Sequence, residues 1–138
     1  MWPAAPYFSY RTAVPVEPGL SAQVSLVVAE QDTALSLGSG DVPVLATPRI
    51  VALCEEAACL AVAERLGEGR TSVGVRVRFD HLAPVRTGST VVAEATLEKV
   101  EGRRLVFTVT ATDAAGLVGA GKVMRVVVDR GEFLAKAR

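Results

Sequence analysis

The stretch that decides the fold is ATPRIVALCEEAACLAVAERLG, residues 46–67. Thr47 is a good N-cap, because its hydroxyl can accept a hydrogen bond from a free backbone N–H of the first turn, and Pro48 suits the first helical position. Gly67 suits the left-handed residue just past a helix end. Mostly Ala, Val, Leu, Ile and Cys lie between these signals, so apolar side chains cover most of the circumference. We therefore predict one long helix over residues 46–67, wrapped by other elements on several sides.

Two adjacent carboxylates, Glu55 and Glu56, lie in the middle of this helix. Glu55 falls on an apolar stripe whose other members are Val51, Cys59 and Val62. A carboxylate is costly to bury there without a partner or a purpose. Glu56 shares its side of the helix with Arg49, which predicts a solvated or paired side chain. A purely structural interpretation stays open, in which one glutamate reaches the sheet edge and pairs with Arg49 or Arg65.

The composition limits the class of protein. The 138 residues, half of them hydrophobic, fit one domain over residues 1–138 with a sizeable core. Fifteen basic and fifteen acidic residues cancel, so no nucleic-acid partner is expected. The start, MWPAAPYFSYRT, lacks the pattern of a secretory signal, and no run of about 18 apolar residues could span a membrane. We therefore expect a cytoplasmic protein without a membrane partner.

The rest of the chain is predicted to form a lead-in, a loop and five strands. Residues 1–20 hold four of the seven prolines and should form an irregular lead-in. Residues 31–45 should form a Gly-rich loop, and such a loop ahead of a capped helix often borders a site. Alternation, β-branched content and turns predict strands at residues 22–30, 71–79, 90–100, 103–113 and 117–129. Short connections between the last four strands predict an antiparallel meander around the helix, an α+β fold.

A few residues outside the helix could carry chemistry. His81 is the only histidine and lies in FDHLAP at the end of a predicted strand, where a surface or core histidine is the ordinary interpretation. Gly74 interrupts a run of strand residues, which often marks a bulge or a close backbone approach. Thr47 and Glu55 are eight positions apart, about 12 Å along a helix axis, so a substrate lying along the helix could meet both. One histidine and two cysteines that point apart make no ligand set, so no metal is expected.

Several short pieces follow one another in a fixed order over residues 44–136. Ala46-Thr47 is followed by Glu55 eight residues later, and Gly74 is followed by His81 seven residues later. The remaining pieces are Pro84, Gly88, VEGRRL at 100–105, Gly119, Gly121, Arg125 and FLAK at 133–136. In this order the chain resembles the hotdog-fold thioesterases, and within them the fluoroacetyl-CoA thioesterase-like group. The resemblance implies a hotdog fold, with one long central helix wrapped by a curved antiparallel sheet of about five strands.

The resemblance also implies a catalytic set. Thr47, Glu55 and His81 match the catalytic residues of that group, with His81 near Glu55 as the proton carrier. The backbone of Gly74 is implied to lie near the thioester carbonyl. Coenzyme A would be the leaving carrier of the substrate, so no retained cofactor is implied.

The loop before the helix is implied to contact the substrate through Asp41 and Val42. The fluoroacetyl-specific enzyme places an aromatic gate where this chain has Asp41, and an aromatic residue where this chain has Glu56. These differences leave open which acyl group is cleaved, and whether its carrier is coenzyme A or a carrier protein.

The function expected from the sequence is hydrolysis of a small acyl-CoA thioester. Two alternatives stay open: a non-catalytic acyl-CoA-binding hotdog protein, and a hotdog hydratase or dehydratase, which the pair Asp80 and His81 matches only superficially. One curved sheet around one helix leaves an edge strand and apolar surface exposed. Hotdog proteins cover both by pairing two sheets, so we expect a homodimer with the site near the subunit boundary.

Overall fold

The computed structural model describes residues 15–138, in which five strands and three α-helices are present. The strands are β1 (Ser21–Val27), β2 (Arg70–His81), β3 (Thr90–Glu101), β4 (Arg104–Asp113) and β5 (Gly116–Asp129). The helices are α1 (Ala34–Leu37), α2 (Thr47–Val62) and α3 (Arg130–Ala135). Every predicted strand is present within three residues of its predicted bounds, whereas no sequence pattern predicts α3. Residues 1–14 of the predicted lead-in lie outside the described residues.

The five strands form one antiparallel sheet in the order β1-β3-β4-β5-β2, with α2 on its inner face. This arrangement confirms the α+β class with one long helix. The predicted meander is wrong at one point, because β2 pairs with β5 and not with β3. In the observed register Arg70 lies opposite Asp129, and His81 lies opposite Gly119.

The connection over residues 82–89 explains the altered strand order. Eight residues can span about 26 Å when extended, whereas three strand spacings amount to about 14 Å. The connection can therefore carry the chain from one sheet edge to the far side of β4. Backbone hydrogen bonds hold it along the way, from Leu82 N to Val118 O and from Gly88 N to Val28 O.

The core lies between α2 and the inner face of the sheet. The helix packs mainly over β1 and β3, and it buries Ile50, Leu53, Cys54, Ala57, Ala58 and Val62. The sheet contributes the fully buried side chains Val91, Leu97, Leu105, Phe107 and Val109. The side of α2 that carries Glu56 and Leu60 is exposed. The prediction of a helix wrapped on several sides is therefore wrong for this side of the single chain.

Both ends of α2 differ from the predicted helix over residues 46–67. Ala46 is the N-cap, and Thr47 is the first helical residue, with no side-chain cap bond at this end. The N-cap prediction for Thr47 is wrong because its hydroxyl bonds to a distant side chain, His81. The α-helix ends at Val62 and continues as one 3₁₀ turn over Ala63–Arg65. Gly67 follows with a φ of 85°, the left-handed backbone expected of it.

The predicted loop over residues 31–45 has a fixed base and an exposed tip. Its base is held by an ion pair of 2.9 Å between Arg49 Nε and Asp32 Oδ1 and by a β-bridge between Thr33 and Leu45. A short helix, α1, lies within it. Residues 35–43 are all exposed. The loop thus stands beside the start of α2, where the candidate site residues begin.

Candidate active site

Thr47 and His81 meet where α2 begins and β2 ends. The distance from Thr47 Oγ1 to His81 Nδ1 is 2.8 Å, which is a hydrogen bond. The other ring nitrogen, Nε2, is buried without a hydrogen-bond partner in the described part of the chain. A buried ring nitrogen normally has a partner. The Thr47 hydroxyl therefore engages one ring nitrogen of His81, and the other ring nitrogen has no partner among the described residues.

A cavity of about 350 Å³ opens beside this pair. Thr47 and His81 line it together with the predicted substrate contacts Asp41 and Val42. The remaining lining residues come from the loop before α2 and from the segment after β2: Ala34, Ser39, Gly40, Val44, Leu45, Leu82, Ala83 and Pro84. The structure thus brings four of the six predicted site residues to one cavity, with the Gly-rich loop as one wall.

Glu55 and Gly74 form a second group, two helical turns from the start of α2. A Cβ atom at position 74 would lie closer to Oε2 of Glu55 than real Cβ contacts allow. The carboxylate therefore fits against β2 only because residue 74 has no side chain. The strand also bulges between Gly74 and Arg76. The predicted close approach at Gly74 is present, and the group that approaches is the Glu55 side chain.

Arg125 is the cation beside Glu55, and sequence reasoning did not single out its role. Its Nη1 donates to Oε2 of Glu55 over 3.1 Å. The same guanidinium donates from Nε to Ser72 Oγ and from Nη2 to the Ser72 carbonyl, each over 2.9 Å. A signal was present in the sequence, because Arg125 interrupts the inward-facing alternation of Val123 and Val127 on β5.

The two groups are not joined within one chain. In residues 15–138 no hydrogen bond links Glu55 to Thr47 or His81, and Glu55 does not line the cavity beside that pair. The ion-pair partner of Glu55 in this part of the chain is Arg125, and the expectation that His81 lies near Glu55 stays a prediction. The structural interpretation that pairs a helix glutamate with Arg49 or Arg65 is also wrong. Arg49 pairs with Asp32, and Arg65 donates to the Pro15 carbonyl.

The cysteines do not belong to the site. Burial, and to a lesser degree the negative charge of the neighbouring Glu55, raise the pKa of the Cys54 thiol to about 11. Cys54 is therefore a neutral thiol near pH 7 and not a nucleophile.

Within residues 15–138, no cluster of three or more His, Cys, Asp and Glu side chains is placed to hold a metal ion. None of the helices described is both long and apolar enough to cross a bilayer.

Comparison with known proteins identifies relatives of this arrangement. A family model described as fluoroacetyl-CoA-specific thioesterase matches residues 28–131. The fluoroacetyl-CoA thioesterase of Streptantibioticus cattleyicolor is 39% identical over 95 residues, covering 69% of this chain and 68% of that protein. A solved structure of the fluoroacetyl-CoA thioesterase FlK has a TM-score of 0.83 at 32% identity, covering 89% of this chain and 96% of that chain. A hot-dog-like protein from Thermanaerovibrio acidaminovorans has a TM-score of 0.79 at 28% identity, covering 86% and 88%.

These matches cover the elements that build the candidate site. The matched residues 28–131 include the loop, α2, β2 and β5. Thr47, Glu55, Gly74, His81 and Arg125 all lie inside that range. The solved relatives extend the agreement from sequence to three dimensions over most of the chain. The chain therefore belongs to the fluoroacetyl-CoA-specific thioesterase family and has the hotdog fold.

Proposed function

We propose that this protein is an acyl-CoA thioesterase that hydrolyses a small acyl thioester. The observation that carries the proposal is the hydrogen bond between Thr47 and His81 on the wall of a cavity of about 350 Å³. Family membership and identity to a fluoroacetyl-CoA thioesterase support the same reaction. A cavity of this volume suits a short acyl group, with the nucleotide of coenzyme A outside it.

The reaction adds water across the thioester bond. The acyl carbon gains the oxygen of water, the C–S bond breaks, and the sulfur takes a proton to leave as the free thiol of coenzyme A. The acid product gives up a proton at neutral pH and leaves as a carboxylate. The site must therefore supply a nucleophile or a base, donors for the developing oxyanion, and a proton for the thiolate.

The candidate residues divide these tasks. Glu55 either attacks the thioester carbon directly or takes a proton from the attacking water. His81 carries the proton, since Nδ1 faces the Thr47 hydroxyl and Nε2 is without a partner among the described residues. Thr47 and the positive end of the α2 dipole hold the carbonyl oxygen or the nucleophile. Because Thr47 and Glu55 are about 12 Å apart along an ideal helix axis, the substrate in this proposal lies along α2.

The proposed assembly is a homodimer with the site near the subunit boundary. β2 is an edge strand of the sheet, and its residues Val75 and Val77 are 53% and 37% exposed. Leu60, on the open side of α2, is 53% exposed. Unpaired strand edges and contiguous apolar surface are usually covered in stable proteins. Light scattering at micromolar concentration should give twice the chain mass, and a mass of 14.4 kDa would contradict the dimer.

The cytoplasmic location of the protein stays a prediction.

A panel of short acyl-CoA esters tests the proposed reaction. Acetyl-, propionyl-, fluoroacetyl- and 3-hydroxybutyryl-CoA are each incubated with the protein, and free thiol is followed with a chromogenic disulfide. We expect thiol release from at least one ester, lost in Glu55→Gln. Saturable binding of the esters without thiol release would favour the non-catalytic binder. Loss of water from the 3-hydroxyacyl ester without thiol release would favour a dehydratase.

A further inference from the structure

Arg125 is a buried cation on the inner face of the sheet. Its side chain is only 8% exposed, and it stands between the buried residues Val123 and Val127 of the same face of β5. A guanidinium in such a place is costly unless its N–H groups are bonded and its charge is paired. The hydrogen-bond partners of those N–H groups therefore indicate the role of Arg125.

Ser72 binds one whole edge of this guanidinium. Its hydroxyl accepts from Nε and its carbonyl accepts from Nη2, each over 2.9 Å. Ser72 is itself buried, with 6% of its surface exposed. Two parallel bonds from a planar guanidinium to one residue fix both the position and the plane of the group. With Nε and Nη2 bonded to Ser72, Nη1 is the guanidinium nitrogen that remains to bond another residue.

Nη1 is directed at one oxygen of Glu55. The bond to Oε2 is 3.1 Å long. Gly74, two residues after Ser72 on the same face of β2, closes the other side of Oε2, since even a methyl group at that position would overlap it. Oε2 is thus enclosed by Arg125 and Gly74, whereas the Glu55 side chain as a whole is 33% exposed. The remaining oxygen, Oε1, has no hydrogen-bond partner among residues 15–138.

We propose that Ser72 is a positioning residue for the thioesterase reaction. By holding the Nε and Nη2 edge of Arg125, it aims Nη1 at Oε2 of Glu55 and leaves Oε1 as the atom that acts on the thioester or on its water. Ser72 touches no reacting atom and works through Arg125. The inference rests on the proposed function, because it needs Glu55 as the reacting carboxylate.

The central test is the kinetics of three variants at one buried position. Ser72→Ala removes the hydroxyl acceptor, while Ser72→Thr and Ser72→Val have nearly the same shape and differ in that acceptor. We expect kcat to fall about tenfold in Ser72→Ala and Ser72→Val, the cost of one lost hydrogen bond to a charged donor. KM should stay within about twofold, since substrate binding is not touched. Ser72→Thr should keep most of kcat, so that the Thr/Val pair separates the hydroxyl from packing.

Two further readouts distinguish positioning from simple stabilisation. The Arg125 Nε–H resonance in a ¹H–¹⁵N spectrum should be protected from exchange in the wild type and in Ser72→Thr, and unprotected in Ser72→Val. In an Arg125→Lys background, Ser72→Ala should change kcat by less than about twofold, because residues that act as one unit are not additive. Thr108→Ala is the matched control. It removes a strand hydroxyl that bonds Glu98 over 2.7 Å on the outer face, and kcat should not change.

The outcomes separate this inference from the proposed function. If Glu55→Gln abolishes hydrolysis but Ser72→Val turns over as fast as Ser72→Thr, the positioning role is wrong and the proposed function stands. If Ser72→Ala costs a further tenfold in the Arg125→Lys background, Ser72 does not act through Arg125. If Glu55→Gln retains the wild-type rate, the proposed function fails, and the positioning role fails with it.

Discussion

The hydroxyl of Thr47 and Nδ1 of His81 are joined by a hydrogen bond of 2.8 Å across 34 residues of sequence. The bond is made possible by the reversed direction of β2, which returns the chain along the sheet to the start of α2. Thr47 is the first residue of that helix and caps nothing. Its hydroxyl is therefore committed to the histidine, and its replacement should affect chemistry more than stability.

Thr47→Ala should lower kcat/KM by about tenfold or more, because the orienting partner of His81 is lost. Thr47→Ser keeps the hydroxyl and should be mild. Since Thr47 is exposed and not an N-cap, the free energy of unfolding of Thr47→Ala should stay within about 0.5 kcal/mol of the wild type. Urea denaturation beside the kinetics checks both parts. A loss near 1 kcal/mol, as for a lost cap, would contradict this description of the helix start.

Gly74→Ala should abolish most activity while the protein stays folded. The added Cβ would overlap Oε2 of Glu55 and lie 3.2 Å from Nη1 of Arg125, so the carboxylate must move. The backbone at Gly74 does not have a positive φ, so alanine adds no backbone strain there. A fall in kcat of about 10² is expected for a displaced reacting group. Gly131→Ala is the control, because its Cβ meets only an ordinary contact at 3.5 Å. Equal kcat in the two variants would disprove the close approach.

Asp41→Asn should change the preference for acyl groups. Asp41 lines the cavity with Thr47 and His81, so its charge should repel an anionic acyl chain such as malonyl. Repulsion from one exposed like charge costs about 1 kcal/mol or less, which lowers kcat/KM for the anionic ester by up to about fivefold. The ratio of kcat/KM for malonyl-CoA over acetyl-CoA should therefore rise by up to about fivefold, and the gain should shrink in high salt. An unchanged ratio would place Asp41 away from the acyl group.

Cys54 should make folding stability depend on alkaline pH. Burial, together with the charge of Glu55, raises its pKa from 9.0 to about 11, so the folded chain keeps a proton that the unfolded chain loses. The associated stability is complete below pH 9 and is lost as the pH rises towards 11, by about 2–3 kcal/mol in all. Urea denaturation at pH 8.5 and pH 11 measures it. Wild type should lose about 2 kcal/mol more than Cys54→Ala over that interval, and parallel losses would show that the thiol does not contribute.

The elements of the fold could be predicted from the sequence, because each one is encoded by its own residues. Apolar content between Pro48 and Gly67 predicts α2, and alternation with short turns predicts the strands. The strand order could not be predicted, since a connection of eight residues permits either a neighbour or a crossover. Backbone contacts such as Leu82 N to Val118 O decide between them, and these exist only in the folded chain.

The candidate site could be predicted in part. The resemblance predicts Thr47 and His81 in one site, and they do meet, but the bond between their side chains depends on the direction of β2. Glu55 stands out as a carboxylate on an apolar stripe, whereas its partner Arg125 lies 70 residues away on another strand. No local sequence pattern predicts a contact between two residues so far apart in the chain. Only the inward position of Arg125 among valines signals that it needs an internal partner.

The most direct measurement is the hydrolysis of one short acyl-CoA by Glu55→Gln and Glu56→Gln. Both changes remove one charge and keep the shape, on adjacent residues of α2. Glu55 is paired with Arg125 against β2, whereas Glu56 is exposed. We expect Glu55→Gln to lose nearly all turnover, with a lower melting temperature because Arg125 loses its counter-charge. Glu56→Gln should keep most activity and stability. Loss of hydrolysis in Glu56→Gln with full activity in Glu55→Gln would contradict the account.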